Sequence, residues 1–243
     1  GTQSGQFVIS LDYEMYWGIR DKKQIDEYRE NLEGVSKAIN EILNCFTRHK
    51  IKATWAVVGL IMAENRSCAI NTSPNKKPSY EDMNLSPYSY LESVDIEQYA
   101  SLHFDKCKVT KINGTAGQRI GTHTFSHFYV NEPGQTIDEF VEDLKSAVKV
   151  AEDIELNSIV FPRNQYSESY LQVLSDLAIF SYRGNERSWL YKASRDKEQG
   201  IFKRLLRLLD SYVNITGHNT YPIEQIVSNG LCNIRSSRFL RPF

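Results

Sequence analysis

Five side chains in this sequence have the types and spacing for hydrolysis at a bound metal ion. His123 and His127 stand four apart in Gly-Thr-His-Thr-Phe-Ser-His, residues 121–127. H-x-x-x-H can bring two imidazoles to one ion from a helix turn or a tight loop. Asp12 and Glu14 flank Tyr13 at the end of an apolar run, Phe7 to Leu11. Carboxylates there are costly unless something uses them. A hydrolytic zinc site takes three ligands of the His₂–carboxylate type and keeps one position for water. The two histidines and two acids supply that set with one carboxylate to spare, and the spare can act as general base toward the water. Arg163, in Val-Phe-Pro-Arg-Asn-Gln-Tyr (160–166), is the fifth. A guanidinium beside a carboxylate fixes its orientation and favours its charged form. Each has a plainer reading when taken singly: the histidines as hydrogen-bonded loop residues, the arginine as half of a surface ion pair.

What raises the set above those readings is its placement on the predicted elements. Strand-like runs cover 6–12, 53–59, 118–123, 157–162 and 179–184. Between them, apolar residues at helical spacing predict helices over 31–49 (Leu32, Val35, Ile39, Ile42, Leu43, Phe46), over 137–151 and over 167–178. A basic amphipathic helix over 199–213 follows, its Lys and Arg read as a solvated face rather than a nucleic-acid surface. Repeated β-then-α order predicts a parallel sheet or barrel covered by helices, with functional residues at the C-terminal ends of the strands. The acids, the histidines and Arg163 all fall at such ends. One region, about 65–113, breaks the alternation and predicts at most one or two short helices near 92–101. A connection that long reads as a lid or binding loop. Its Tyr80, Tyr88 and Tyr90 could stack on a sugar or pin the loop to the body. There is no internal repeat and no internal domain boundary.

With these residues in place, the chain resembles the polysaccharide deacetylases, the NodB-homology group of metal-dependent carbohydrate deacetylases, over roughly residues 7–190. Ser-Leu-Asp-Tyr-Glu (10–14) resembles the family's first motif in the variant whose acids are one residue apart, which implies Asp12 as general base and Glu14 as metal ligand. His-Thr-Phe-Ser-His (123–127) resembles the second motif and implies His123 and His127 as the other ligands. Ala-Thr-Trp-Ala-Val-Val-Gly (53–59) is similar to a conserved strand of the family. Arg163-Asn164-Gln165-Tyr166 lines up with the third motif, Arg-Pro-Pro-Tyr. That alignment implies that Arg163 orients Asp12 and that the Tyr166 backbone N–H binds the oxyanion. Glu186 with Trp189 is the candidate for the fourth motif, and Trp189 and Tyr13 are the candidate substrate contacts.

Three departures stand out. Glu14 replaces the more usual Asp ligand, both prolines of the third motif are absent, and no Leu-x-x-His strand supplies the general acid. The acid is then either His218, in Asn-Ile-Thr-Gly-His-Asn-Thr-Tyr-Pro, or a residue on a C-terminal piece outside this sequence.

The implied fold is α/β, a distorted and incomplete (β/α) barrel, TIM-like with seven strands and truncated at the C-terminus. It forms a single catalytic domain over 1–243 with the insertion at about 65–113. The implied activity is metal-dependent removal of acetyl groups, N-acetyl first, from a sugar or polysaccharide intermediate. Zn²⁺ is the expected ion, with Co²⁺, Mn²⁺ and Ni²⁺ as alternatives, and an acetylated amino sugar is the expected partner. The competing readings are an amidohydrolase acting on a small cyclic amide or ureide, and a non-catalytic glycan-binding relative of the fold.

Bulk properties agree with a globular protein of this kind. The 243 residues are 41% hydrophobic and 24% charged with a formal net charge of −1, which gives no electrostatic reason to expect nucleic acid or an anionic membrane. No apolar window reaches the run of about 18 residues that spans a bilayer. The polar start lacks a signal-peptide pattern. With four scattered cysteines and no C-x-x-C, the expectation is a cytoplasmic protein with free thiols.

Overall fold

Strands and helices alternate along the chain in the computed structural model, which describes residues 5–93, 96–186, 190, 201–213, 215–217, 220–228 and 230–237. The order is β1 (Ser10–Tyr13), α1 (Ile25–His49), β2 (Ala53–Val57), α2 (Arg66–Thr72), α3 (Tyr88–Ser93), α4 (Lys106–Gly114), β3 (Gln118–Thr122) and α5 (Ile137–Ala151). Then come β4 (Ser158–Ile159), α6 (Glu168–Leu171), β5 (Ser181–Gly184), α7 (Ile201–Tyr212), β6 (Val227–Ser228) and β7 (Leu231–Arg235). The strands join in one sheet in the order β1-β2-β3-β4-β5-β7-β6. Six of them run parallel, and β6 pairs antiparallel with β7. The seven-stranded TIM-like expectation is corrected to this extent: the seventh strand is a short hairpin partner and not another βα unit.

The sheet curls. In a flat sheet β1 and β5, four places apart, would be about 19 Å from each other at the usual strand spacing. Yet the Arg183 guanidinium of β5 bonds to Ser10 Oγ (3.1 Å) and to Asp12 (2.7 Å), both on β1. A side chain bridges that gap only if the sheet bends into a half-barrel.

Register decides which residues face the hollow. Asp12 pairs with Ala56, and Ala56 with Gly121. Side chains alternate along a strand, so these three share one face, while Tyr13, Val57 and Thr122 share the other. Glu14 and His123, two residues further on, return to the Asp12 face. The opposite face packs Trp55, Val57, Ile120 and Tyr13 with Ile39 and Leu43 of α1 and Val109 and Ile112 of α4. Each such buried aliphatic contributes about 1.5–3 kcal/mol.

α1 starts at Ile25, six residues before the expected Asn31. Its first turn carries Asp26 and Glu27, favourable at a helix N-terminus. Apolar spacing is silent over that exposed turn. The helix ends at Lys50, whose left-handed φ of 52° lets its N–H reach the Phe46 and Thr47 carbonyls.

The 65–113 segment is more ordered than its composition predicts. It holds α2, α3, α4 and the 3-10 turns Met83–Leu85 and Ile96–Leu102. α4 is simply the crossover from β2 to β3. Tyr80 and Tyr88 are buried, and Tyr90 hydrogen-bonds to His103 at 2.9 Å, so all three pin the segment to the body. α7 shows Phe202, Leu205, Leu209 and Tyr212 to solvent, while its Arg207 reaches inward to the Leu190 carbonyl at 2.7 Å. The Lys203 and Arg204 side chains lie outside the described set. All four cysteines are free. Among the described residues no helix is long and apolar enough to cross a membrane.

Candidate metal centre and its surroundings

Glu14, His123 and His127 converge at the C-terminal end of β1 and β3. They form a group of three potential ligands whose donor atoms lie within 4.8 Å of one another. Glu14 Oε1 is 2.8 Å from His123 Nε2 and 3.4 Å from His127 Nε2. In a tetrahedral site with bonds near 2.1 Å, ligand atoms stand about 3.4 Å apart. Of the two Glu14 pairs, one already has that spacing and the other needs its hydrogen bond opened by about 0.6 Å, and the two histidine nitrogens lie within 4.8 Å of each other. The residues present therefore fit a divalent ion. Burial works to raise the Glu14 carboxyl, but the charge of His127 and the hydrogen bond from His123 hold it well below its ordinary value. For His123, burial disfavours the charged ring, yet the Glu14 bond and the charge of Asp12 lift it above its usual value. Burial dominates at His127 and lowers it.

The longer arm of Glu14 has its own accommodation. A Cβ on Gly18 would stand 2.1 Å from Glu14 Oε2 and 2.6 Å from Glu14 Cβ. The 3-10 turn Met15–Gly18 can therefore fold back against Glu14 only with glycine at its end.

His123 and His127 sit on a bent loop after β3, with Thr124 at φ 64° and His127 at φ 60°. Left-handed non-glycine residues cost of order 1–3 kcal/mol each and persist only where surroundings over-determine them. Here they do. Asp143, fully buried on α5, accepts from Phe125 N (2.7 Å), Ser126 N (3.2 Å) and the Ser126 hydroxyl. From the other side, the Gly59 and Leu60 amides donate to the Thr124 and Phe125 carbonyls at 2.9 and 3.0 Å. A Cβ on Gly59 would be 2.8 Å from Phe125 Cα, so this approach needs glycine. Thr124 Oγ1 caps the loop internally by accepting from Phe128 N at 2.7 Å. His123 Nδ1 lies 2.7 Å from the Val160 carbonyl, which can only accept, so Nδ1 carries the proton there.

Asp12 lies beside this group, and the guanidinium that grips it belongs to Arg183. Nη1 donates to Oδ1 and Nη2 to Oδ2, both at 2.7 Å. Asn164 Oδ1 in turn accepts from Arg183 Nε (3.1 Å) and Nη2 (3.0 Å). Arg163, the residue expected to orient Asp12, instead pairs with Asp21. Its guanidinium also stacks 4.2 Å over the Tyr129 ring. The physical reason is the turn Pro162–Asn164: Arg163 and Asn164 both have positive φ (54° and 52°), which aims Arg163 toward the His127 side and leaves the amide of Asn164 against Arg183.

The remaining expected site residues fall in different places. Tyr13 is no surface for substrate: it is buried on the helix-facing side and donates to Asp105 at 2.8 Å. Strand alternation that turns Asp12 and Glu14 inward necessarily turns Tyr13 away. Tyr166 packs edge-on against Tyr182 with centroids 5.3 Å apart, and its hydroxyl accepts from Asn185 N at 3.4 Å. Glu186 is buried. Trp189 and His218 lie outside the described residues. Arg183, Asn164, Asp143 and Tyr129 escaped sequence reasoning. Only Asp143 carried a local signal, an acid within the apolar stripe of an amphipathic helix.

The chain is similar in structure to a Mycobacterium smegmatis protein assigned as a polysaccharide deacetylase (9% identity, TM-score 0.48, 74% of this chain and 51% of that one). It is also similar to a de-N-acetylase from Aggregatibacter actinomycetemcomitans (12% identity, TM-score 0.43, 82% and 73%) and to a CE4-family pseudoenzyme from Bacillus anthracis (12%, 0.39, 72% and 42%). The chain thus spans about half the length of the Mycobacterium structure. No curated protein sequence matches it. The polysaccharide deacetylase family model matches residues 26–180, a stretch that includes both histidines and Arg163 but begins after Glu14 and ends before Arg183. That match covers more than half of the sequence, and the chain belongs to the polysaccharide deacetylase family.

Proposed function

We propose that this protein is a metal-dependent hydrolase that removes acetyl groups, N-acetyl by preference, from an amino sugar or polysaccharide intermediate. The observation that carries this reading is the Glu14–His123–His127 group standing beside an Asp12 held in a guanidinium fork. Glu14, His123 and His127 would hold the ion, and their His₂–carboxylate donor set favours Zn²⁺. When bound, the ion supplies Lewis acidity at the acyl carbonyl and the attacking water.

The chain's own residues do the rest. Asp12 accepts the proton that water loses as its oxygen bonds to the carbonyl carbon. Arg183 holds both carboxylate oxygens, so the lone pair that takes the proton is presented in one direction, a positional contribution to the rate. The Tyr166 backbone N–H donates to the carbonyl oxygen as it becomes negative, support worth about 10²–10³ in rate per donor. The C–N bond then breaks, and the amine leaves with a proton from a general acid, a part that falls to His218 or to a residue on a C-terminal piece outside this sequence. Water and an acetamide thereby become acetate and an amine.

Asp12→Asn removes the proton acceptor while leaving the three ligands in place. Acetate release from an acetylated glucosamine oligomer should fall by about 10²–10⁴ with Zn²⁺ still bound stoichiometrically. Near-normal release by this variant sinks the assignment. A wild-type protein that is inactive on the oligomer but opens a cyclic imide would move the substrate to the small-molecule class.

A further inference from the structure

The two histidines are not supported alike. The Val160 carbonyl next to His123 Nδ1 fixes one tautomer, because a carbonyl has no proton to give. His127 Nδ1 faces instead the Tyr129 hydroxyl, 2.9 Å away in a fully buried setting, and a hydroxyl can donate or accept. If Tyr129 donates, the His127 proton sits on Nε2, aimed at Glu14, and that nitrogen has no lone pair for an ion. If Tyr129 accepts, Nδ1 carries the proton and Nε2 is a ligand.

On the metal-centre reading above, we infer that Tyr129 is the positioning residue that makes His127 a competent ligand, and that Arg163 and Asp21 brace it. Tyr129 is 2% exposed. Its ring stands edge-on to His127 (88°, centroids 5.1 Å). Its backbone N–H donates to the Tyr80 hydroxyl at 2.8 Å, which fixes the main chain. The Arg163 guanidinium lies 4.2 Å over its ring and is itself tied to Asp21. Two strained stretches, Arg163–Asn164 and His127, converge on this one phenol. Retained strain of that kind marks a position that the surroundings specify. The arginine that the third motif would spend on the base is thus placed behind a metal ligand, and Arg183 takes the base.

Tyr129→Phe keeps the ring under Arg163 and removes only the oxygen. Zn²⁺ affinity, measured by competition with a chromophoric chelator, should weaken roughly 10–100-fold, along with a fall in the melting temperature of the metal-free protein from the buried Nδ1 left without its partner. A packing role alone would move the melting temperature and not the affinity. The charge-balanced pair Asp21→Asn/Arg163→Gln loosens the brace without touching the hydroxyl, and should weaken Zn²⁺ roughly 3–10-fold. If Tyr129→Phe binds Zn²⁺ within about twofold of wild type, the inference is wrong while the metal centre stands. If the wild-type protein binds no Zn²⁺, the metal-centre reading itself fails.

Discussion

Which arginine serves the base can be decided by comparing Arg183→Gln with Arg163→Gln. The Arg183–Asp12 contact is a two-bond fork with both N···O distances at 2.7 Å. Hydrogen bonds to charged groups are worth about 1.5–3 kcal/mol each when shielded, so two would set an upper bound near 3–6. The Asp12 side chain is 29% exposed and that of Arg183 11%, so solvent replaces part of the lost interaction. The two bonds also share one rigid group. A net loss of about 2 kcal/mol is left, and most of it is loss of aim, since Gln cannot form the fork. At about 1.4 kcal/mol per tenfold, kcat for acetate release at saturating Zn²⁺ should fall roughly 30-fold. Arg183→Lys should recover part of this, because a single ammonium keeps the charge but not the two-point geometry. Arg163→Gln should act mainly on Zn²⁺ affinity and lower kcat less than Arg183→Gln does. If Arg163→Gln costs more in kcat at saturating Zn²⁺, the base is oriented from the third motif after all, and the geometry argued from β5 is refuted.

Three other outcomes are expected. Zn²⁺ at about 100 times its Kd should stabilise the protein by about 2.7 kcal/mol, roughly 5–10 °C in Tm for a chain of this size, and Glu14→Ala should abolish the shift in a thermal scan. Gly18→Ala should weaken Zn²⁺ roughly tenfold or more, because its Cβ would meet the Glu14 carboxylate at 2.1 Å; unchanged affinity would mean that Glu14 is not held where the ligand must be. Burial lifts Asp143 to about 7 against the hydrogen bonds it accepts from Ser126 and Phe125. Its folded value is therefore above its unfolded one, near 4. Between those values the folded state binds the extra proton, so the Asp143 contribution to stability falls as pH rises from about 4 to 7 and is level above, with a slope of at most about 1.4 kcal/mol per unit. Asp143→Asn should remove that slope in denaturant unfolding at several pH values.

Much of the site was legible because its signals are local. Asp12 and Glu14 are two apart on a strand, so alternation alone turns both to one face, and His123 and His127 lie within one loop. Arg183 could not be read in this way. Ser-Tyr-Arg-Gly is an ordinary strand end, and nothing near it in sequence says that the sheet bends until β5 faces β1. Arg163 looked like the natural partner of Asp12 because motif order carries no information about the left-handed turn that redirects it. Composition misled at 65–113, where polar residues dress short helices whose few apolar positions are buried. The β6–β7 hairpin was missed although Asn229-Gly230 is a two-residue turn signal, because strands this short have almost no periodicity to detect.

The bonds across the hollow also tie the site to the completion of the sheet. All three candidate ligands lie within the first 127 residues, at the ends of β1 and β3, which have only β2 between them in the sheet. The Asp12–Arg183 fork joins residues 171 apart and depends on the whole arc of the sheet. The histidine loop likewise leans on later chain, on Asp143 of α5 and on the Val160 carbonyl, as expected where a domain folds as a unit. A chain lacking β5 would keep Asp12 but not the guanidinium that aims it. Closure of the arc and orientation of the base are therefore one event.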